Sequence, residues 1–217
     1  MKAIYTDPLA RKSYSYADVK SGSISFGKGL REKLGWNKDD VLLLYTPNSI
    51  DTPIVTWGTH WAGGIVSPAN PAYNTKELEF QLRDSGAKAV VTQKKLLPNV
   101  CEAATRVGIQ DCQIILIGER DPDGRFLHLT DICDHGSSQG LRWPRVVVEN
   151  PESDLSFLVY SSGTTGHPKG VMLSHTNVIS NILMLRSGEG VNLSWRAGYN
   201  NQGDRILGFL PFYHIYG

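Results

Sequence analysis

Between Tyr160 and Val171 the chain reads YSSGTTGHPKGV, a stretch that concentrates groups able to bind anions. The hydroxyls of Ser161, Ser162, Thr164 and Thr165 and the ammonium of Lys169 are potential phosphate ligands in close order. Gly163, Gly166 and Gly170 lack a Cβ, so the backbone can bend there and bring its N–H groups close to an anion. Lys169 adds a compact positive charge suited to phosphate. The spacing is not that of the G-x-x-x-x-G-K-[ST] loop, because five residues after Gly163 stands Pro168 and Lys169 is followed by Gly170. Composition alone favours a solvated Ser/Gly linker. Two details oppose that reading: the stretch lies directly between the apolar runs LSFLVYSS and GVMLSH, and it sets a rigid proline beside its lysine. On the residues by themselves, linker and phosphate cradle both stand.

The remaining candidates are sparser. His214, inside PFYHIYG, reads from spacing alone as a core histidine at a strand end. His60, His128 and His135 show no ligand-like spacing and read as packing or surface residues. Trp57, Trp61 and Phe80 fall on apolar helical faces and are expected in the core. Cys101, Cys112 and Cys133 are odd in number and lack a C-x-x-C pair, which argues against a disulfide framework or zinc knuckle and for a reducing compartment.

The elements that must position these groups are short and alternate in type. VLLLYTP (41–47), KAVVTQ (88–93), QIILIGE (113–119), LSFLVYSS (155–162) and RILGFLP (205–211) read as buried strands stopped by Pro, Gly or polar residues. Between them, 50–62, 74–86, 97–107 and 174–186 read as helices. Asn74 followed by Glu77 is the signature of a capped start, and Gly86 of a stop. Alternation of near-continuous apolar strands with helices predicts an α/β, doubly wound fold with mainly parallel sheets and helices on both faces. Residues 121–150, polar and rich in turn formers, read as a connection between a first α/β portion (about 1–120) and the portion carrying the Gly-rich stretch (151–217).

Net charge is +1, from 22 basic and 21 acidic residues, which argues against a nucleic-acid binder. No signal-peptide core and no apolar run long enough to span a membrane occurs, so a soluble intracellular protein is expected.

YSSGTTGHPKGV is similar, position by position, to the phosphate-loop signature of the adenylate-forming (AMP-binding) superfamily, which includes acyl-CoA synthetases, 4-coumarate-CoA ligases, luciferases and peptide-synthetase adenylation domains. VMLSHTNV continues the pattern, and LGFLPFYHIYG resembles the next motif. SYSYADV and WAGGIVSPANPAYNTKELEFQLRDSGAKAVVT resemble upstream segments of the ligase branch, so the likeness covers essentially the whole chain. It implies a two-step reaction. A carboxylic acid attacks the α-phosphate of ATP with Mg²⁺ present, releasing pyrophosphate, and the thiol of coenzyme A then displaces AMP. It further implies that Ser162, Gly163, Thr164, Thr165, Gly166 and Lys169, flanked by Ser161 and Gly170, hold the β- and γ-phosphates. Thr164 and Thr165 are the nearest candidates for the metal, whose ligands are otherwise unassigned. His214 matches the family's histidine between acyl pocket and thiol tunnel; peptide-synthetase domains commonly carry an aromatic there, which tilts the resemblance toward a CoA ligase. His175 and Asn177 match positions that tie down the helix after the loop.

Family elements expected beyond this point have no counterpart in these residues: the adenine-contact motif with its Mg²⁺-binding Glu, the ribose-binding Asp, the hinge, and the small domain with the catalytic Lys. The expectation is an incomplete N-terminal AMP-binding domain, inactive alone, from a cytoplasmic or peroxisomal enzyme. An adenylate-forming enzyme with a non-CoA acceptor and a non-catalytic protein-binding scaffold are the alternatives. Self-association stays open, as does the identity of the acid.

Overall fold

The structure, a computed structural model, describes residues 2–137, 143–161, 168–190 and 203–214. It opens with an antiparallel hairpin of β1 (Ala3–Asp7) and β2 (Lys12–Ser15). The following helix α1 (Tyr16–Leu34) starts on a capping box: Ser15 accepts from the Asp18 N–H and the Asp18 carboxylate accepts from the Ser15 N–H. The chain then alternates β3 (Val41–Tyr45), α2 (Thr52–Trp61), β4 (Ile65–Ala69), α3 (Thr75–Ser85), β5 (Ala87–Thr92), α4 (Leu97–Val107) and β6 (Ile114–Leu116). It continues through β7 (Leu127–His128), α5 (Leu129–Ser137), β8 (Leu155–Ser161), β9 (Lys169–Ser174) and α6 (His175–Glu189).

Among the described residues seven strands form one sheet in the order β7-β6-β5-β3-β4-β8-β9, parallel throughout except for β9, which runs antiparallel to β8. The two-residue period of a strand sorts its side chains between two cores. Leu42, Leu44, Val66, Ala89, Val91 and Ile115 face Phe26, Leu30, Ile54, Val55 and Ile132 of α1, α2 and α5. Leu43, Tyr45, Ala69, Val90 and Ile114 face Leu78, Leu82, Val100, Ala103 and Ala104 of α3 and α4. Both faces are therefore covered over β3–β6, and these strands read as nearly unbroken apolar runs because almost none of their positions faces solvent. The expected doubly wound α/β fold is the one observed. Helices α1 and α5 lie so close that a Cβ on Gly136 would overlap the Ser25 carbonyl.

Two local expectations differ from the structure. The run 205–211 is not a strand: among the described residues no neighbouring strand pairs with it, and Ile206, Leu207 and Phe209 stand exposed. Residues 121–150, read as a connection, contribute β7 to the sheet and α5 to the face of α1. Trp57, expected in the core, is 44% exposed, whereas Trp61 packs against the buried cluster as expected.

Candidate functional site

Parallel strands bring their carboxyl ends to one edge of the sheet, and in open α/β sheets that edge is where ligands bind. Here Tyr45 of β3 stands level with Ala69 of β4 and Thr92 of β5. Strand β8 joins β4 in parallel through the Val66–Phe157 pair, so Ser161 closes β8 at this same edge. Ser161 pairs across the hairpin with Lys169, the first residue of β9. Ser161 and Lys169, which flank the Gly-rich residues in sequence, thus stand together at the carboxyl edge. Ser161, Lys169 and Gly170 are exposed there. Ser162, Gly163, Thr164, Thr165 and Gly166 lie outside the described residues.

The stem of that hairpin is held by specific contacts. The Tyr160 hydroxyl donates to the Asp84 carboxylate of α3 at 2.5 Å, and its ring meets Phe80 edge-on at 6.5 Å. Burial first, and then the neighbouring carboxylate, push the Tyr160 phenol well above its ordinary range, so it stays a neutral donor. Gly170 lies opposite that ring, and a Cβ there would approach the Tyr160 Cζ to 3.2 Å. Strand β8 meets β4 through a single ladder pair, and side chains supply the rest of the seam. Ser67 Oγ donates to the Leu158 carbonyl at 3.1 Å and accepts from Gln81 Nε2 at 2.9 Å. His60 of α2 sets Nε2 2.9 Å from the Ser156 carbonyl, which fixes Nε2 as the protonated nitrogen. Its ring lies edge-on to Phe157 at 4.9 Å and to His175 at 5.7 Å. Burial drives the His60 pKa down to about 4, against the opposing pull of the Ser156 hydrogen bond. Desolvation also lowers the pKa of His175.

His175 and Asn177 stand where the sequence places them, at the start of the helix after the loop. Ser174 caps α6 by accepting from the Asn177 N–H, and Asn177 Oδ1 accepts from the Ser174 N–H at 3.0 Å, closing a capping box. The His175 N–H donates to the Asp154 carbonyl at 3.1 Å.

His214 reaches the same edge from a different part of the chain. Its N–H donates to the Pro211 carbonyl at 3.0 Å, making a turn, and its side chain is exposed. The preceding Phe212 and Tyr213 lie on Leu44, Thr46 and Pro68 at the ends of β3 and β4, leaving a void of only about 10 Å³. The segment is fastened by Asn48, in the loop after β3. Asn48 Nδ2 donates to the Gly208 carbonyl at 3.2 Å and to the Leu210 carbonyl at 2.7 Å, while its Oδ1 accepts from the Phe212 N–H at 2.8 Å. Sequence reasoning overlooked Asn48. The signal available was a Pro-Asn pair directly after a buried strand, where a side-chain amide can serve exposed backbone groups.

A second, wider cleft of about 490 Å³ lies beside α1 and α5, lined in part by Lys12, Tyr14, Asp51, His128 and Cys133. Several of its polar groups are already engaged. Asp51 accepts from Lys12 and from the Tyr14 hydroxyl, each at 2.7 Å, and His128 Nε2 lies 3.1 Å from the Gly118 carbonyl. Burial pushes both the Tyr14 phenol and the Cys133 thiol up to about 12, so neither ionises near neutrality. None of the residues singled out in the sequence for binding lines this cleft. Among the described residues no cluster of His, Cys, Asp or Glu could hold a metal ion, and no helix is long and apolar enough to cross a membrane.

Comparison with known proteins agrees with this geometry. A long-chain-fatty-acid–CoA ligase of Bacillus subtilis is 29% identical over 251 aligned residues, which take in 100% of this chain and 42% of that protein. A 4-coumarate–CoA ligase of Vanilla planifolia is 32% identical, over 94% of this chain and 35% of its own length. The crystal structure of ATP-bound MatB from Rhodopseudomonas palustris superimposes with a TM-score of 0.65 at 30% identity, covering 82% of this chain and 33% of that one. The chain therefore spans between a third and somewhat under half of the length of the proteins it matches. The model of the AMP-binding enzyme family matches residues 2–217, and the chain belongs to that family.

Proposed function

We propose that this chain supplies the phosphate-holding part of an AMP-forming acid–thiol ligase, in which a carboxylic acid, ATP and coenzyme A react. The observation that supports the reading is the pairing of Ser161 with Lys169 at the carboxyl edge, the two residues that flank SGTTGHP in the sequence. In the first step a carboxylate oxygen forms a bond to the α-phosphorus, and the bond from that phosphorus to the bridging oxygen breaks. Charge builds on the departing pyrophosphate, so donors fixed around it lower the barrier. Backbone N–H groups and hydroxyls of Ser162 to Gly166, with the Lys169 ammonium, take that role. In the second step the sulfur of coenzyme A bonds to the acyl carbon and AMP leaves. His214, with Phe212 and Tyr213 beside it, forms one wall of the acyl pocket at its boundary with the thiol's approach.

Mg²⁺ binds chiefly through substrate phosphates and water, with hard oxygen donors from the protein. The hydroxyls of Ser161, Thr164 and Thr165 are donors of that kind, with Thr164 and Thr165 nearest to hand, and the ion would neutralise phosphate charge there. Carboxylate-dependent ATP–pyrophosphate exchange, measured on the protein in which these residues accompany the rest of the relatives' length, tests the reading. Lys169→Ala should lower exchange by about 10²-fold, the scale for loss of one preorganised charge-stabilising group. An unchanged rate removes Lys169 from the cradle, and no exchange with any aliphatic or aromatic acid overturns the ligase reading. AMP release that does not depend on coenzyme A would instead favour a different acceptor.

A further inference from the structure

We propose that Asn48 is the positioning residue for the His214 segment, clamping residues 208–212 onto the loop after β3 and so fixing where His214 stands at the carboxyl edge. The inference deepens the reading given above and rests on it only for the meaning of His214; the clamp itself stands on geometry. Residues 205–212 form no strand or helix and are largely exposed, so no ladder and little burial holds them. The carboxamide of Asn48 answers this with three hydrogen bonds to backbone groups at Gly208, Leu210 and Phe212, more than 150 residues away in sequence. Only a primary amide offers two N–H donors and a carbonyl acceptor in one plane. Serine lacks the second donor, and aspartate would set a carboxylate against the Gly208 and Leu210 carbonyls. The clamp acts just ahead of Phe212 and Tyr213, which lie on Leu44, Thr46 and Pro68. The next residue is His214, so a change in the backbone at Phe212 is passed directly to the imidazole.

Asn48 is exposed, and its replacement leaves both buried cores intact. Hydrogen exchange at the Phe212 amide and the ring signal of His214 in ¹H–¹³C NMR spectra of the 217-residue chain test the proposal. In Asn48→Ala the Phe212 amide should exchange about fivefold or more faster, as expected for one lost hydrogen bond. The His214 signal should shift or broaden while the melting temperature hardly moves. Asn48→Asp keeps the acceptor for Phe212 but loses both donors, so it should retain part of the exchange protection and still displace the His214 signal. Unchanged exchange and an unchanged His214 signal in Asn48→Ala overturn the clamp. If the clamp is upheld but a His214 variant of the protein that carries the rest of the relatives' length supports ATP–pyrophosphate exchange with long-chain and aromatic carboxylic acids at the wild-type rates, the assignment of His214 to an acyl pocket fails and the clamp does not.

Discussion

At the residue scale, the hairpin stem shows how one missing atom serves an element. Gly170 faces the Tyr160 ring, whose hydroxyl reaches Asp84 on α3. The glycine was legible in the sequence only as a flexible part of a phosphate loop, and the structure gives it a second reason to lack a side chain. A Cβ 3.2 Å from the Tyr160 Cζ demands that the ring give way by a few tenths of an ångström, and a branched side chain demands more. Gly170→Val should therefore cost about 1–3 kcal/mol, the usual scale for overpacking. Gly170→Ala should cost less. Tyr160→Phe should separate the two effects, since it removes the bond to Asp84 and leaves the ring in place. Chemical denaturation of the three variants checks this, and a Gly170→Val chain as stable as wild type would show that Tyr160 moves freely. What no sequence pattern could show is the partner: Asp84 lies 76 residues before Tyr160, and only the packing of α3 on the sheet unites them.

At the element scale, legibility followed local chemistry. Helix α3 carries its own punctuation: Asn74 caps it, Glu77 closes the box, and Gly86 ends it at φ 64°, a conformation glycine adopts without strain. Helix α4 was likewise bounded correctly at 97–107, with Gly108 in the left-handed conformation beyond it. The run 205–211 carried an equally apolar pattern and is not a strand, because a strand is defined by its neighbours and none pairs with it among the described residues. Strand β9 went unread for the converse reason, since its pairing with β8 supplies what a short GVMLS run cannot declare. The β4–β8 seam also depends on tertiary contacts, and His60 makes it sensitive to acid. The folded pKa of His60 lies at about 4, below the ordinary value of 6.5, so between these limits the unfolded chain binds more protons. Its contribution is present above pH 6.5 and is lost as pH falls toward about 4. Between pH 7 and 4.5 this is on the order of 2 kcal/mol. His60→Gln keeps an N–H for the Ser156 carbonyl without a titrating group. Its melting temperature should fall less than that of the wild type over the same range, and parallel curves would mean that His60 does not govern the seam.

At the scale of the whole molecule, the two ends of the sheet are finished differently. On the β3–β6 side both faces are covered and the core side chains are buried. On the other side β9 is the edge strand, with Val171 and Met172 45% and 67% exposed, and α6 buries none of its residues. Ile179, Ile182 and Leu183 recur at helical spacing on one stripe of α6, and each is more than half exposed. Among the described residues β9 has no partner on its outer edge, and an open strand edge beside an exposed apolar stripe is a template for association. A net charge of +1 offers almost no electrostatic repulsion against it. The 217-residue chain should therefore associate reversibly as its concentration rises through the micromolar range, with sedimentation velocity showing a rising average mass. Replacing Ile179 and Leu183 together by Lys should shift that rise to higher concentration. Because neither side chain is buried, the pair should leave the unfolding free energy within about 0.5 kcal/mol of wild type, as for substitutions at unconstrained surface sites. A chain that stays monomeric at every concentration, or a double variant that associates as readily as wild type, would show that this face does not drive contact. A large loss of stability in the variant would instead show that α6 is covered in the folded monomer, contrary to its exposure here.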